Sequence, residues 1–154
     1  MSVTVDTNIL LYASNEDASE QERAGALLAH LAQGPGLVTL LWPTVLGYLR
    51  MATHPAVFAS PLTPGQAEAN VGRLMDLPHV RVVGETEGFW PTYQAVSHTV
   101  TPRGNLVPDA HLAALMIEHG VARIWTRDRD LRRFDGITVS DPFDKRFDSG
   151  FAPG

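Results

Sequence analysis

The chain contains no cysteine. Disulfide bonds, thiolate zinc sites and a cysteine nucleophile are thereby excluded, and the absence fits a reducing compartment, so a cytoplasmic location is expected. Lysine is nearly absent too, with Lys145 standing alone close to the C-terminus, and no basic residue precedes Arg23. No apolar run approaches the ~20 residues that a membrane span requires. No basic N-terminal stretch leads into a long apolar segment, so no signal peptide is expected. Positive charge is in deficit: 12 Lys plus Arg stand against 17 Asp plus Glu, a formal net charge of −5. Domains that bind nucleic acid broadly are usually basic, so any contact with nucleic acid has to be local.

What is present supports one folded domain. A chain of 154 residues, 44% of them hydrophobic, is long enough for a real core. The run "SVTVD" reads as a short buried strand ending at Asp6, and "LVTLL", "VRVV", "ARIWT" and "ITVSDP" read as four more. Between them lie amphipathic helices. "ASEQERAGALLAHLAQGPG" places Leu27, Leu28 and Leu31 at helical spacing before a Gly-Pro-Gly stop. "WPTVLGYLRMATHP" starts with Pro43, favoured in a first turn. "TPGQAEANVGRLMDLP" and "EGFWPTYQAVSHTV" follow, and "VPDAHLAALMIEHG" is the clearest, with Leu112, Leu115, Met116 and His119 near one face and Gly120 as its stop. Strands alternating with helices imply an α/β fold in three layers, a central parallel sheet flanked by helices. The segment after Pro142 has little periodicity, so the expected organisation is one domain over 1–142 and a C-terminal tail over 143–154 that is either loose or docked on a neighbour.

The acidic residues raise the functional question. In "VTVDTNILLYA", Asp6 sits among residues that want burial, and a lone buried carboxylate is costly unless something pairs with it. In parallel sheets, functional groups gather beyond the carboxyl ends of the strands. Asp6 and Asp128 both follow strands, and Asp109 opens a helix whose start can face the same edge. Each has a plain structural reading, because Asp is a favoured helix cap. Their convergence on one edge points further. Carboxylates held together repel one another unless a cation joins them, and Mg²⁺ takes a few carboxylates while keeping several waters. Asp6, Asp109 and Asp128 are therefore candidate ligands, with Asp130 as a further one. Thr7, Asn8 and Thr126 stand beside them, either orienting carboxylates and water or making local turn bonds. Arg123, Arg127, Arg129, Arg132 and Arg133 crowd one segment, balanced only by Asp128 and Asp130. This is either a solvated face or a local phosphate-binding rim.

The blocks "VDTNILLYA", "WPTVLGYLRMATHPAVF", "NLVPDAHLAALMIEHG" and "IWTRDRDLRRFDGI", followed by "DP", occur in an order that resembles the PIN-domain ribonucleases, and more narrowly the VapC-type toxins of bacterial toxin–antitoxin pairs. The resemblance runs from about Val3 to Pro142. It implies a PIN-like fold and Mg²⁺- or Mn²⁺-dependent endoribonuclease activity in which a metal-activated water cleaves RNA. It also implies inhibition by a cognate VapB-like antitoxin, and a homodimer. Matched by position, Asp6, Asp109 and Asp128 correspond to the catalytic acids, and these three with Asp130 to the metal ligands. Thr126 matches the hydroxyl residue of the last block. Arg127 and Arg129 offer RNA contacts, and Arg50 either touches RNA or braces an acid. Two positions depart from the pattern. Leu131 replaces an aromatic residue, and Gly47 stands in "GYLR" where many relatives carry a glutamate, so one carboxylate of the usual set is missing. The alternative reading is accordingly a catalytically weak or inactive domain that binds RNA or antitoxin. Other phosphoryl-transfer classes fit poorly. A receiver domain needs a lysine after a late strand, and an aspartate phosphatase needs a second Asp where Asn8 stands.

Overall fold

Val3 and Val5 alternate with Thr4 in the first strand, β1 (Ser2–Val5), and this strand takes the middle of the sheet. The computed structural model describes residues 1–151. After β1 come α1 (Thr7–Ser14), α2 (Gln21–Gln33), β2 (Val38–Leu41), α3 (Trp42–Ala52), α4 (Pro64–Met75) and β3 (Val80–Val83). Then follow α5 (Phe89–Val100), α6 (Leu106–Glu118), β4 (Val121–Trp125) and β5 (Thr138–Ser140), with short 3₁₀ turns at Arg129–Arg133 and Lys145–Phe147. All neighbouring strands pair parallel, in the order β3-β2-β1-β4-β5. The α/β architecture expected from the alternation is thus the one observed.

The chain first moves outward from β1 to β2 and β3, then returns past β1 to place β4 and β5 on the other side. Because such crossovers keep one hand, reversing direction puts the helices on opposite faces. One core holds Ile9, Leu10 and Leu27 with Val45, Tyr48 and Val71 against Val5, Leu40 and Trp125. The other holds Leu112, Leu115 and Met116 against Leu41, Val121 and Ile124. Ile124 and Trp125 are successive residues in β4 and enter opposite cores, as strand geometry demands. The reversal makes the carboxyl edge between β1 and β4 a topological switch point, the place where open parallel sheets gather ligands.

Several boundaries differ from expectation, for local reasons. Helix α6 begins at Leu106, three residues before Asp109. Pro108 is tolerated there because the first turn has no use for its missing N–H. Asp109 therefore lies inside the first turn and does not cap the helix. Gly120 takes a positive φ of 66° just past the helix end, a conformation that favours glycine. The stretch after Pro142 lies along the chain's own fold: Phe147 and Phe151 meet Trp125 edge-on at centroid distances of 4.9 and 5.6 Å. Burial of an apolar side chain such as Phe151 contributes about 1.5–3 kcal/mol. Positions 152–154 of the expected tail lie outside the described residues. Among the described residues, no helix is long and apolar enough to cross a membrane.

Candidate metal centre

Strand β1 ends at Val5, and the next residue turns into α1 as its N-cap. Asp6 holds that position with extended backbone, and its Oδ1 accepts the Thr7 backbone N–H at 2.7 Å. Its Oδ2 accepts the Thr126 hydroxyl at 2.8 Å, across from the end of β4. Asp6 is thus a cap and a buried acid at once. Burial pushes its pKa above the usual carboxylate range, the Thr126 and Thr7 bonds pull the other way, and the nearby Asp128 raises it further.

Thr126 does two jobs. Besides donating to Asp6, its oxygen accepts the Asp128 backbone N–H at 2.9 Å. Asp128 in turn caps the 3₁₀ turn by accepting the Asp130 N–H at 2.9 Å. For Asp6 and Asp128, capping and position at this edge go together, since capping fixes their carboxylates there. Carboxylate oxygens of Asp109, Asp128 and Asp130 all lie within 4.8 Å of one another. Asp109 reaches them from the first turn of α6. Its pKa is pushed up to about 7, first by burial, then by the charges of Asp128, Asp6 and Asp130, with a hydrogen bond to Asp128 adding to the shift.

The closest trio is therefore Asp109, Asp128 and Asp130, while Asp6 borders it close enough to be felt electrostatically. No ion pair among the described residues reaches any of these four acids. Hard oxygen donors crowded together without a protein cation fit a divalent ion such as Mg²⁺ or Mn²⁺.

The flanking residues divide. Thr7 gives its backbone N–H to Asp6, but its hydroxyl donates to the Thr44 carbonyl at 3.2 Å. Asn8 is exposed in the first turn of α1. Gly47 of α3 faces Thr7: a side chain begun there would place Cβ 3.2 Å from Thr7 Oγ1 and 3.6 Å from Cγ2. The Thr7 side chain thus crowds the start of any side chain at position 47. Arg50 and Arg129 are exposed. Arg127, also exposed, donates through Nη1 to Glu20 at 3.2 Å, and its guanidinium lies 4.7 Å from the Phe143 ring centroid. Glu20 and Phe143 carry no motif. The visible signal was the spacing of Phe143, Phe147 and Phe151 at every fourth residue.

Three comparisons bear on this geometry. The model of the PIN domain family matches residues 3–137. Ribonuclease VapC48 of Mycobacterium tuberculosis is 51% identical over 143 residues, which cover 93% of this chain and 99% of that protein. The chain belongs to the PIN-domain family, in its VapC-type branch. Ribonuclease VapC37 of the same organism is 33% identical over 138 residues, covering 90% and 95% of the two chains. The crystal structure of VapBC2 from Rickettsia felis, bound to a DNA fragment from its promoter, superposes with a TM-score of 0.66 at 13% identity, covering 92% of this chain and 98% of that one. At that identity the shared feature is the fold.

Proposed function

We infer that this protein is a metal-dependent endoribonuclease and the toxin of a VapBC-like pair. The observation that carries the reading is the trio of carboxylates within 4.8 Å at the switch point, with no basic partner. In this reading Asp6, Asp109, Asp128 and Asp130 hold Mg²⁺ or Mn²⁺. A bound ion of this kind polarises a phosphodiester and lowers the pKa of a water.

The chain's own residues do the rest. Thr126 holds one oxygen of Asp6 and the backbone of Asp128, linking the acids that follow β1 and β4. The Thr7 N–H fixes the second oxygen of Asp6. Hydroxyls and amides that hydrogen-bond to carboxylates in this way orient them, a common arrangement around metal ligands. Arg129 and Arg50 supply phosphate contacts on an otherwise acidic molecule, and such contacts hold RNA without reading its sequence. Attack by water in line with the leaving 3′-oxygen yields 5′-phosphate and 3′-hydroxyl ends.

The kinship with VapC48 and the VapBC2 likeness support a VapB-like antitoxin as the partner; a homodimer working in the cytoplasm is what the family resemblance implies. One observation favours a second reading, a domain that only binds RNA or antitoxin: Gly47, packed near Thr7, brings no carboxylate to the site. Incubating the protein with cellular RNA in Mg²⁺, Mn²⁺ or EDTA and mapping the ends separates the two. Cleavage that needs the ion and leaves 5′-phosphates supports the nuclease. Intact RNA in every condition, with unimpaired growth of a host making abundant soluble protein, supports the binding-only domain.

A further inference from the structure

The loop that carries Asp128 is held from two sides. Thr126 anchors the first side, through Asp6, through the Asp128 N–H, and through its own N–H to the Ser140 carbonyl at 2.9 Å. Arg127 anchors the second. It pairs with Glu20, at the start of α2, and lies over the ring of Phe143. Phe143 is set edge-on against Tyr12 of α1, with centroids 5.6 Å apart. The segment Phe143–Phe151 is itself fastened down: Arg23 donates to the Phe147 carbonyl at 2.9 Å and pairs with Asp148 at 2.5 Å, and Phe147 and Phe151 pack on Trp125. This segment lies beyond the 3–137 span that the family model matches.

From these contacts we propose that Arg127 is a positioning residue for the acid cluster, and that the Phe143–Phe151 arm is the clamp that holds it. The inference rests on the reading of Asp109, Asp128 and Asp130 as a cation site. Its physical basis is that like charges within 4.8 Å push their loops apart. Asp109 resists because it belongs to a 13-residue helix with a buried face. Asp128 sits in a loop, and needs an outside restraint. A planar guanidinium stacks on Phe143 and donates in its plane to Glu20 at the same time, which a lysine ammonium does not match.

The sign of one measurement isolates the idea. Arg127 is a cation one residue from Asp128, so on charge alone its removal strengthens binding of a divalent ion. Positioning demands the reverse. Mn²⁺ is titrated into the full-length parent, Arg127→Ala, Arg127→Lys, Phe143→Leu and Asp128→Asn, following free Mn²⁺ by electron paramagnetic resonance and checking each melting temperature first. The expected result is binding that Asp128→Asn abolishes and Arg127→Ala weakens about tenfold, the usual scale for groups that orient ligands. Arg127→Lys, with the charge kept, falls nearly as far. Phe143→Leu, with charge unchanged and bulk nearly kept, falls in the same direction by less. Asp128-dependent binding that is equal or tighter in the Arg127 and Phe143 variants overturns the clamp alone. A parent with no Asp128-dependent binding overturns the reading of the cation site, and the clamp with it.

Discussion

Carboxylates at the rim of this molecule and carboxylates at its switch point live under opposite rules. At the rim, Asp144 accepts the Arg146 backbone N–H and its guanidinium, and these hold it below the usual carboxylate range. Glu20 is also lowered, first by its own backbone N–H and then, after a smaller burial effect, by Ser19 and Arg127. At the switch point, Asp6 and Asp109 are raised, in both cases first by burial. The difference is one of partners. The arginines serve the rim, while the four acids between β1, β4 and α6 face one another. Among the described residues, the fold supplies basic partners at the rim and none to the four acids here, which is the arrangement the proposed cation site rests on.

The strongest way to break this comparison is to remove the switch-point charges one at a time. Asp6→Asn, Asp109→Asn and Asp128→Asn should each lower RNA cleavage by roughly a hundredfold or more. Their melting temperatures in metal-free buffer should hold or rise, because each change relieves repulsion. Three variants that cleave like the parent would mean the reaction happens elsewhere.

The next effect is on stability against pH. Burial and the neighbouring acids push the folded Asp109 carboxyl up to about 7, well above the usual carboxylate range. A raised folded pKa gives stability that is fully present below the unfolded value and is lost as pH rises through the folded one. In metal-free buffer the parent should therefore lose melting temperature progressively between about pH 4 and about pH 7 relative to Asp109→Asn. Parallel curves for the two proteins would show that neither burial nor its neighbours hold Asp109 up.

A smaller effect concerns the rim arginines assigned to RNA. Arg129→Ala and Arg50→Ala should each reduce the dependence of log affinity on log salt by roughly 0.7, the value for one phosphate contact on a single strand. Filter binding of the cleavage-deficient Asp128→Asn background, with and without each change, measures it. Unaltered slopes would place these arginines away from the RNA. At the bottom of the scale, Arg146→Ala breaks an exposed pair with Asp144, and such pairs contribute little. No measurable change in melting temperature is expected, and a large drop would mean that rim pairing matters more than the comparison allows.

Much of this was legible in the residues themselves. Asp6 at a strand end, Asp109 near a helix start and Asp128 after a later strand all fall where a parallel sheet collects them, and the period of two or of 3.6 named the elements that carry them. The start of α6 was misplaced because Pro108 and Asp109 both look like opening residues, while Leu106 and Val107 carry no starting signal. The 3₁₀ turns were not legible, since five and three residues offer no period to read.

The sequence alone determined the alternation of strands and helices, the two apolar faces that the sheet separates, and the presence of acids at strand ends, because those follow from local spacing and from which side chains avoid water. Tertiary structure decided which acids meet. That Asp130 joins Asp109 and Asp128 while Asp6 borders them, that Thr7 packs near Gly47, and that Arg127 turns to Glu20 and Phe143 all depend on how segments far apart in the chain are brought together. Carboxylate repulsion and guanidinium stacking act over a few ångströms of space and are indifferent to sequence separation. No pattern within a short window can therefore report them.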